Sequence, residues 1–407
     1  MTRRMSALGI LLVALGSIPS GAVAQEARYY QEGRYTVREI AGQIDSDAKR
    51  VRVETDLGTV RVRHGAAGTI GYRVRLKAAG ADVAEVRRRL DRMVISASRT
   101  GDLLLFGGSL PGRPIGSGGL NVEFEIELPV ATPALEVVTG AGDIEAEGGS
   151  GRTSLVTQGG MITARDVTGP LQAETRGGGI VVGDVRSTAR LVSAGGDVSV
   201  DAAEGELVVQ TSGGDVRIGR AGAAVRVETG GGNVRIERAA KDVRVATSGG
   251  NIDVGEAGGE VSAATAGGAI RVGSAIGGVR CETAAGPIVL DGVGGPIRAL
   301  TSAGSIHALL HGAGLPGDSD LQAQAGDITV SLPEGHPITI RALVDNPVGR
   351  SIESEFPLTI LRDLEDSGQP LEIGEGQIGV GGPVLKIRAL HGRIVILKVK
   401  DDGSAKR

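Results

Sequence analysis

The chain has no tryptophan, three phenylalanines, four tyrosines and a single cysteine among 407 residues. So few large rings exclude a globular core of bulky side chains, since aromatic residues dominate the energetics of such cores. With only Cys281 there is no partner for an intrachain disulfide. A strong charge of either sign is lacking too, with 44 Lys and Arg against 48 Asp and Glu. That balance lacks the electrostatic footprint of a nucleic-acid binder, which gathers basic residues against phosphates. No apolar run approaches the ~20 residues of a transmembrane helix. Glycine, by contrast, is abundant at 68 residues. A thin, repetitive core of Val, Ile, Leu and Ala can be made from such a chain.

The first residues, "MTRRMSALGILLVALGSIPSGAVAQ", carry Arg3 and Arg4, an apolar run from Leu8 to Leu15, and the small-residue pattern Ala22-Val23-Ala24. This reads as a secretory signal peptide over residues 1–24, because the run is too short to span a bilayer. No cysteine sits at the cleavage point, so lipid attachment there is not expected. Export would take the chain to the periplasm or beyond the cell, with no transmembrane segment remaining. Losing Arg3 and Arg4 leaves 42 basic residues against 48 acidic, a formal charge of −6.

An eighteen-residue phrase then repeats. Thr139, Thr157, Thr175, Ser193, Thr211, Thr229, Thr247, Thr265, Thr283 and Thr301 recur at intervals of eighteen without a gap. Branched or small apolar residues stand four and two positions before each anchor, as Val225 and Val227 do before Thr229. Ile or Val stands five after it, and another aliphatic residue seven after it, as Val234 and Ile236 do. A six-residue return carries one more small apolar residue, such as Val185, Ala221 or Val293.

Alternation with period two means strand, and two short strands per eighteen residues mean a lap that returns on itself. One lap cannot bury its apolar side, but stacked laps bury one another, about 4.8 Å apart. The expected fold is therefore all-β: a single-stranded parallel β-solenoid of eighteen-residue laps. Eleven laps would make a rod roughly 50 Å long. The two glycines after each anchor are expected at a sharp corner with φ > 0. The anchor hydroxyls share the parity of the inward Val residues and are placed to bond corner backbone groups. Cys281 falls in an inward column and reads as a small buried hydrophobe.

A solenoid needs caps, since bare ends expose unpaired strand edges. The expected division is a cap over residues 25–130, the solenoid over 131–332, C-terminal laps and a cap over 333–400, and a tail over 401–407. Within the first cap, "VRVETDLGTVRV" (Val51 to Val62) is an isolated copy of the strand-turn-strand phrase. "DVAEVRRRLDRM" predicts a helix with Asp82 as N-cap, Glu85 at the third position, and Val83, Val86, Leu90 and Met93 on one face. "NVEFEIELP" (Asn121 to Pro129) reads as a strand leading into the array, and "LKIRALHGRIVIL" (Leu385 to Leu397) as the final lap.

The "T-x-G-G-[DN]-[IV]" phrases, "EIELP", "GDITVSLP", and "GQIGVGG" followed by "GRIVI" resemble the bacterial β-strand-repeat proteins named putative adhesins, relatives of auto-transporter adhesin head domains. The resemblance covers about residues 45 to 400. It implies an exported β-helix and brings no catalytic residues.

Any chemistry of such a fold belongs to its outward positions. Many parallel β-helices cleave glycans, and a polysaccharide lyase or hydrolase needs carboxylates on neighbouring laps, often with Ca²⁺ and an Arg. Asp197, Asp215, Arg217, Asn233 and Arg235 form the matching cluster. The competing reading is a solvated ladder of turn-stabilising Asx residues, and the array's lack of any aromatic or histidine favours it. No second Gly-x-Asp follows the paired glycines, so calcium-binding repeats are not expected. His307 and His311 lie on a strand and loop with no third ligand evident, and no cofactor or metal is implied. Arg87, Arg88, Arg89 and Arg92 form a basic helix face of the solvated kind.

The expectation is thus a non-catalytic exported rod, an adhesion, binding or structural element of the envelope, with a carbohydrate-active enzyme as the alternative. Its candidate binding columns are Arg217, Arg235 and Arg271, and Arg226, Arg244 and Arg280. Candidate partners are envelope glycans or other surface proteins, with self-association through the ends of the rod.

Overall fold

The computed structural model describes residues 27–44, 47–65, 68–112, 119–310, 316–335, 337–364 and 370–399. The segment read as a signal peptide, His311 and the 401–407 tail lie outside the described residues. Among the described residues, the regular elements apart from one helix are strands, arranged in two long sheets.

A lap from the centre shows how the sequence makes them. Val225–Thr229 pairs in parallel with Leu207–Thr211 on one side and Val243–Thr247 on the other, placing Val227 beside Val209 and Val245. Its second strand, Val234–Ala239, pairs with Val216–Ala221 and Ile252–Ala257. Val225, Val227, Val234, Ile236 and Ala239 are buried, while Arg226 and Arg235 between them are exposed. Each residue therefore stacks on its counterpart eighteen positions away, and the branched side chains form continuous inward columns. The return residues Val185, Ala221 and Val293 complete the same core. One apolar cluster runs from Ala48 to Ile396, with Cys281 inside it. The parallel β-solenoid read from the periodicity is the fold observed.

The corner meets the φ > 0 expectation in some laps only: Gly142, Gly286, Gly304 and Gly326 have φ of +140°, +158°, +159° and +145°. Gly160, Gly178, Gly196, Gly214, Gly232, Gly250 and Gly268, the second glycine of each central lap, do not occupy the left-handed region. They are needed for closeness of approach instead. A Cβ on Gly232 would lie 2.0 Å from the carbonyl oxygen of Gly214, its counterpart one lap earlier, and one on Gly250 would lie 2.0 Å from that of Gly232. The first glycine has no such constraint, since a Cβ on Gly231 would meet nothing within 4 Å. Ala141, Ala285, Ala303 and Ala325 stand at that same position in other laps.

The anchor hydroxyls bind the corners together. Thr229 Oγ1 donates to the Gly214 carbonyl of the preceding lap at 3.1 Å and accepts the Gly232 N–H of its own lap at 3.2 Å. Thr175, Ser193 and Thr247 make the same two bonds. Each buried hydroxyl thus satisfies one backbone donor and one acceptor that the corner leaves without a strand partner.

The ends are longer and more interleaved than the eleven-lap expectation. Ten laps from Ala134–Thr139 to Ile306–Leu310 stack in chain order. Before them lies the lap Arg50–Thr55 and Thr59–Gly65, and outside that the strands Leu103–Ser109 and Leu120–Pro129. The strand containing "NVEFEIELP" is therefore separated from the array by one lap that precedes it in sequence. At the other end, Val384–His391 and Ile394–Val399 insert between the lap Ser319–Ala325 and Ile328–Pro333 and the strands Ile338–Asp345 and Ile352–Ser354. Fifteen laps stack among the described residues, a rod of roughly 70 Å at the usual strand spacing.

Antiparallel strands close both ends. Arg28–Glu32, Tyr35–Ile44 and Ile70–Ala79 extend one sheet, and Val94–Thr100 the other. Pro370–Ile378 and Thr359–Leu364 finish the far end. The helix Val83–Asp91 covers the first cap, with Asp82 Oδ1 accepting the Ala84 N–H at 2.8 Å. Val86, Leu90 and Met93 are buried, but Val83, expected on the same face, is exposed. Arg38 donates to the carbonyls of Leu90 and Met93 and so satisfies the helix C-terminus. Phe106 and Phe124 are buried in this cap, with the Tyr72 ring 5.4 Å from that of Phe106.

Candidate functional site

Because side chains alternate, every lap presents two outward columns on each sheet, and their composition defines the surface. On the sheet containing Val234–Ala239, the Asx residues just after the corner form a backbone ladder. Asp197 Oδ1 accepts the Asp215 N–H at 2.8 Å, and Asp215 Oδ1 accepts that of Asn233 at 2.8 Å. Asn233 Oδ1 accepts the Asn251 N–H at 3.0 Å. Asp143 starts the same pattern toward Met161, and Asp327 carries it to Arg393 in the inserted C-terminal lap. The N–H of Arg393, aided by its guanidinium, holds the Asp327 carboxyl below the usual carboxylate range.

The cluster Asp197, Asp215, Arg217, Asn233 and Arg235 is therefore brought together as a row along the rod, its Asx side chains directed at the next lap's backbone. Arg217 lies 3.8 Å from Asp215, and Arg235 lies 3.4 Å from Asp253. Arg271 pairs with Asp291, and Arg238 with Glu256 at 2.7 Å. On this face each of these four arginines has a carboxylate. All the pairs are open to water and individually weak.

The other sheet is arranged differently. Arg226 Nε donates to Glu228 at 3.1 Å, and Arg280 lies 3.8 Å from Glu282. Arg244 has no ion pair or side-chain hydrogen bond among the described residues. Register pairing places Arg226 directly beside Arg244, and Arg280 beside Arg298. Arg190 belongs to the same column and donates to Gln210 at 2.8 Å; Gln210 in turn donates to Glu228 at 3.1 Å. Arg226 and Gln210 together hold the Glu228 carboxyl below its usual range. Sequence reasoning missed Arg190, Gln210 and Arg298, although Arg190 and Arg298 share the spacing of Arg226 from their anchors.

Beside this column a shallow trough of about 450 Å³ follows the corner from Ser193 to Ser248. Gln210 and Glu228 line one side, buried Thr211 and Thr229 the base, and exposed Ser212 and Ser248 the other side. Among the described residues, no group of three or more His, Cys, Asp or Glu is placed to hold a metal ion. His307 sits on an outward column between Val289 and Thr329. On the cap helix, Arg87 stacks over the Tyr29 ring at 5.0 Å, and Arg89 donates to the Ala79 carbonyl. No helix among the described residues is long and apolar enough to cross a membrane.

No curated protein matches the chain. Among solved structures, it is similar to a protein described as a putative cell adhesion protein from Clostridium sporogenes ATCC 15579. That match has 9% identity and a TM-score of 0.18, and covers 90% of this chain and 100% of the other. A putative adhesin from Bacteroides fragilis NCTC 9343 matches at 10% identity with a TM-score of 0.21, covering 89% of this chain and 97% of the other. Over residues 219–345, from within the strand Val216–Ala221 to the end of Ile338–Asp345, the chain matches the family model described as Toastrack DUF4097, and the resemblance drawn from its T-x-G-G phrases holds there.

Proposed function

We propose that the protein is a non-catalytic exported rod that binds extended ligands along its outward columns, serving adhesion or architecture in the cell envelope. One observation carries this reading. Chemically similar side chains recur in register on successive laps, so the surface repeats a weak contact many times along one axis. Repetition of that kind raises avidity without any deep pocket. The carboxylates nearest to a glycan-cleaving arrangement, Asp197 and Asp215, are engaged with backbone N–H groups of the next lap. A glycosidase holds two carboxylates on either side of the scissile bond, whereas these two are directed along the rod at backbone.

The test is a glycan array run in parallel with turnover assays on the full chain. Binding without turnover is the expected result. Glycan cleavage abolished by Asp215→Ala or Arg217→Ala would overturn the reading in favour of an enzyme. An absence of binding to glycans, envelope extracts and cells would overturn the binding role itself.

A further inference from the structure

We infer that the face bearing Arg190, Arg226, Arg244, Arg280 and Arg298 binds a linear, carboxylate-bearing polysaccharide laid parallel to the rod axis. This deepens the binding-rod reading and rests on it. The five arginines occupy one column, joined through Val208 and Ser262 by consecutive register pairs. At about 4.8 Å per lap, the column spans roughly 29 Å. Directly opposed like charges destabilise a sheet, and the column contains two such pairs, Arg226 beside Arg244 and Arg280 beside Arg298.

Local compensation is incomplete. The neighbouring outward column over the same laps carries two carboxylates, Glu228 and Glu282, against the five arginines. Glu228 is taken by Arg226 and Glu282 by Arg280. Arg190 bonds the neutral Gln210, while Arg244 and Arg298 have no carboxylate within ion-pair distance among the described residues. The opposite face carries its own arginines, but Arg217, Arg235, Arg238 and Arg271 are each paired. Arg165 and Arg220 on that face also have no carboxylate within ion-pair distance among the described residues, but they stand in two different columns, whereas Arg190, Arg244 and Arg298 share one.

The shape beside this column selects among anionic polymers. The trough along the corner presents the hydroxyls of Ser212 and Ser248, suited to sugar hydroxyls, while guanidinium forks suit carboxylates. A pyranose ring advances a glycan by about the rise of one lap, so its carboxylates keep step with the arginine column, with Val208 and Ser262 as the two laps that offer no guanidinium. Single-stranded nucleic acid fits poorly, because its sequence-tolerant binding relies on aromatic stacking platforms and this array has no aromatic residue. An acidic peptide cannot add as a strand here, since each strand of these laps is paired on both sides.

The experiment measures binding of the full chain to polygalacturonate, dextran sulfate and neutral dextran at several salt concentrations. Polygalacturonate is expected to bind in a salt-sensitive way and neutral dextran not to bind. The triple substitution Arg190→Gln, Arg244→Gln, Arg298→Gln should weaken binding about tenfold or more, because repeated contacts multiply. The pair Arg217→Gln and Arg235→Gln, on the other face, should leave it unchanged. All five sites are exposed, and unchanged melting temperatures would show that each variant folds. Equal loss from both sets, or loss from the second alone, would overturn the assignment of the face. Binding of dextran sulfate as tight as that of polygalacturonate would overturn the carboxylate specificity. Retention of neutral glycans with no polygalacturonate binding would refute this inference while leaving the binding-rod reading intact. Silence toward every glycan, extract and cell would refute both.

Discussion

Gly231 and Gly232 are adjacent, alike in sequence context and opposite in what they tolerate. A Cβ at Gly232 would fall 2.0 Å from the Gly214 oxygen, well inside van der Waals contact, and the obstacle is backbone. Relief requires the laps to part locally by about an ångström against a spacing of about 4.8 Å. Overpacking of this kind costs about 1–3 kcal/mol. Parting also strains two hydroxyl bonds, from Thr229 to Gly214 and from Thr247 to Gly232, each worth about 1 kcal/mol net. Gly232→Ala should therefore cost about 3–5 kcal/mol. Gly231 has open space and a φ outside the left-handed region. Gly231→Ala should be neutral or stabilise by up to about 1 kcal/mol, because alanine loses less backbone freedom on folding.

In a stacked array each lap contacts only its neighbours, so the damage should be local before it is global. Hydrogen exchange is the appropriate assay, combined with denaturant unfolding of both variants and the parent chain. Faster exchange in Gly232→Ala should centre on residues 207–252 and fade toward both caps. If the two variants lose similar stability, or if Gly231→Ala is the worse, lap-to-lap closeness is not what demands the second glycine.

Val227 is fully buried and Arg226 is exposed, so Val227→Asp should unfold its laps by placing an unpartnered charge in the column. Arg226→Ser should shift stability by less than about 0.5 kcal/mol; similar melting temperatures for the two would refute the inward and outward assignment. Burial pushes the Cys281 thiol up to about 12, so a thiol reagent at mildly alkaline pH should label it only after denaturation, and rapid labelling of the native chain would contradict its place in the core. The depressed carboxyl of Asp327 contributes stability that is present above the ordinary carboxylate pKa and lost as pH falls through its lower folded value. Proteolysis or exchange of Val384–Val399 should therefore rise as pH falls below about 4, and Asp327→Asn should blunt that rise; an unchanged pH profile would show that this carboxylate does not secure the lap.

The middle of the rod was legible because its grammar is local. Eighteen-residue spacing assigns Val227 inward and Arg226 outward without any knowledge of neighbouring laps, and it places Thr229 where its hydroxyl reaches the corner. The reason for the corner glycines was less accessible, because it depends on an oxygen one lap away. Ala141, Ala285, Ala303 and Ala325 nevertheless carried the signal that one of the two positions is free. The candidate columns were placed on the surface by parity, but parity does not choose partners. Whether Arg235 finds Asp253 while Arg244 finds none depends on which side chains the stacking brings together.

Lap order at the ends was hidden for a deeper reason. The lap Arg50–Gly65 carries the same inward pattern as any lap of the array, so its pattern fits equally well at several places in the stack. Its position is decided by what must lie outside it: the strands Leu103–Ser109 and Leu120–Pro129 carry antiparallel partners that end the sheets. The C-terminal lap obeys the same logic. Ile338–Asp345 pairs on its outer side with the antiparallel Pro370–Ile378, while Val384–His391 offers parallel pairing on both of its sides. A strand that can continue the stack in either direction belongs inside, and one already committed to a hairpin belongs at the edge, whatever their order along the chain. Chain order and stacking order therefore part where hairpins begin, and the unpaired edges that would let rods join end to end are bounded by short or charged strands such as Ile352–Ser354 and Thr359–Leu364.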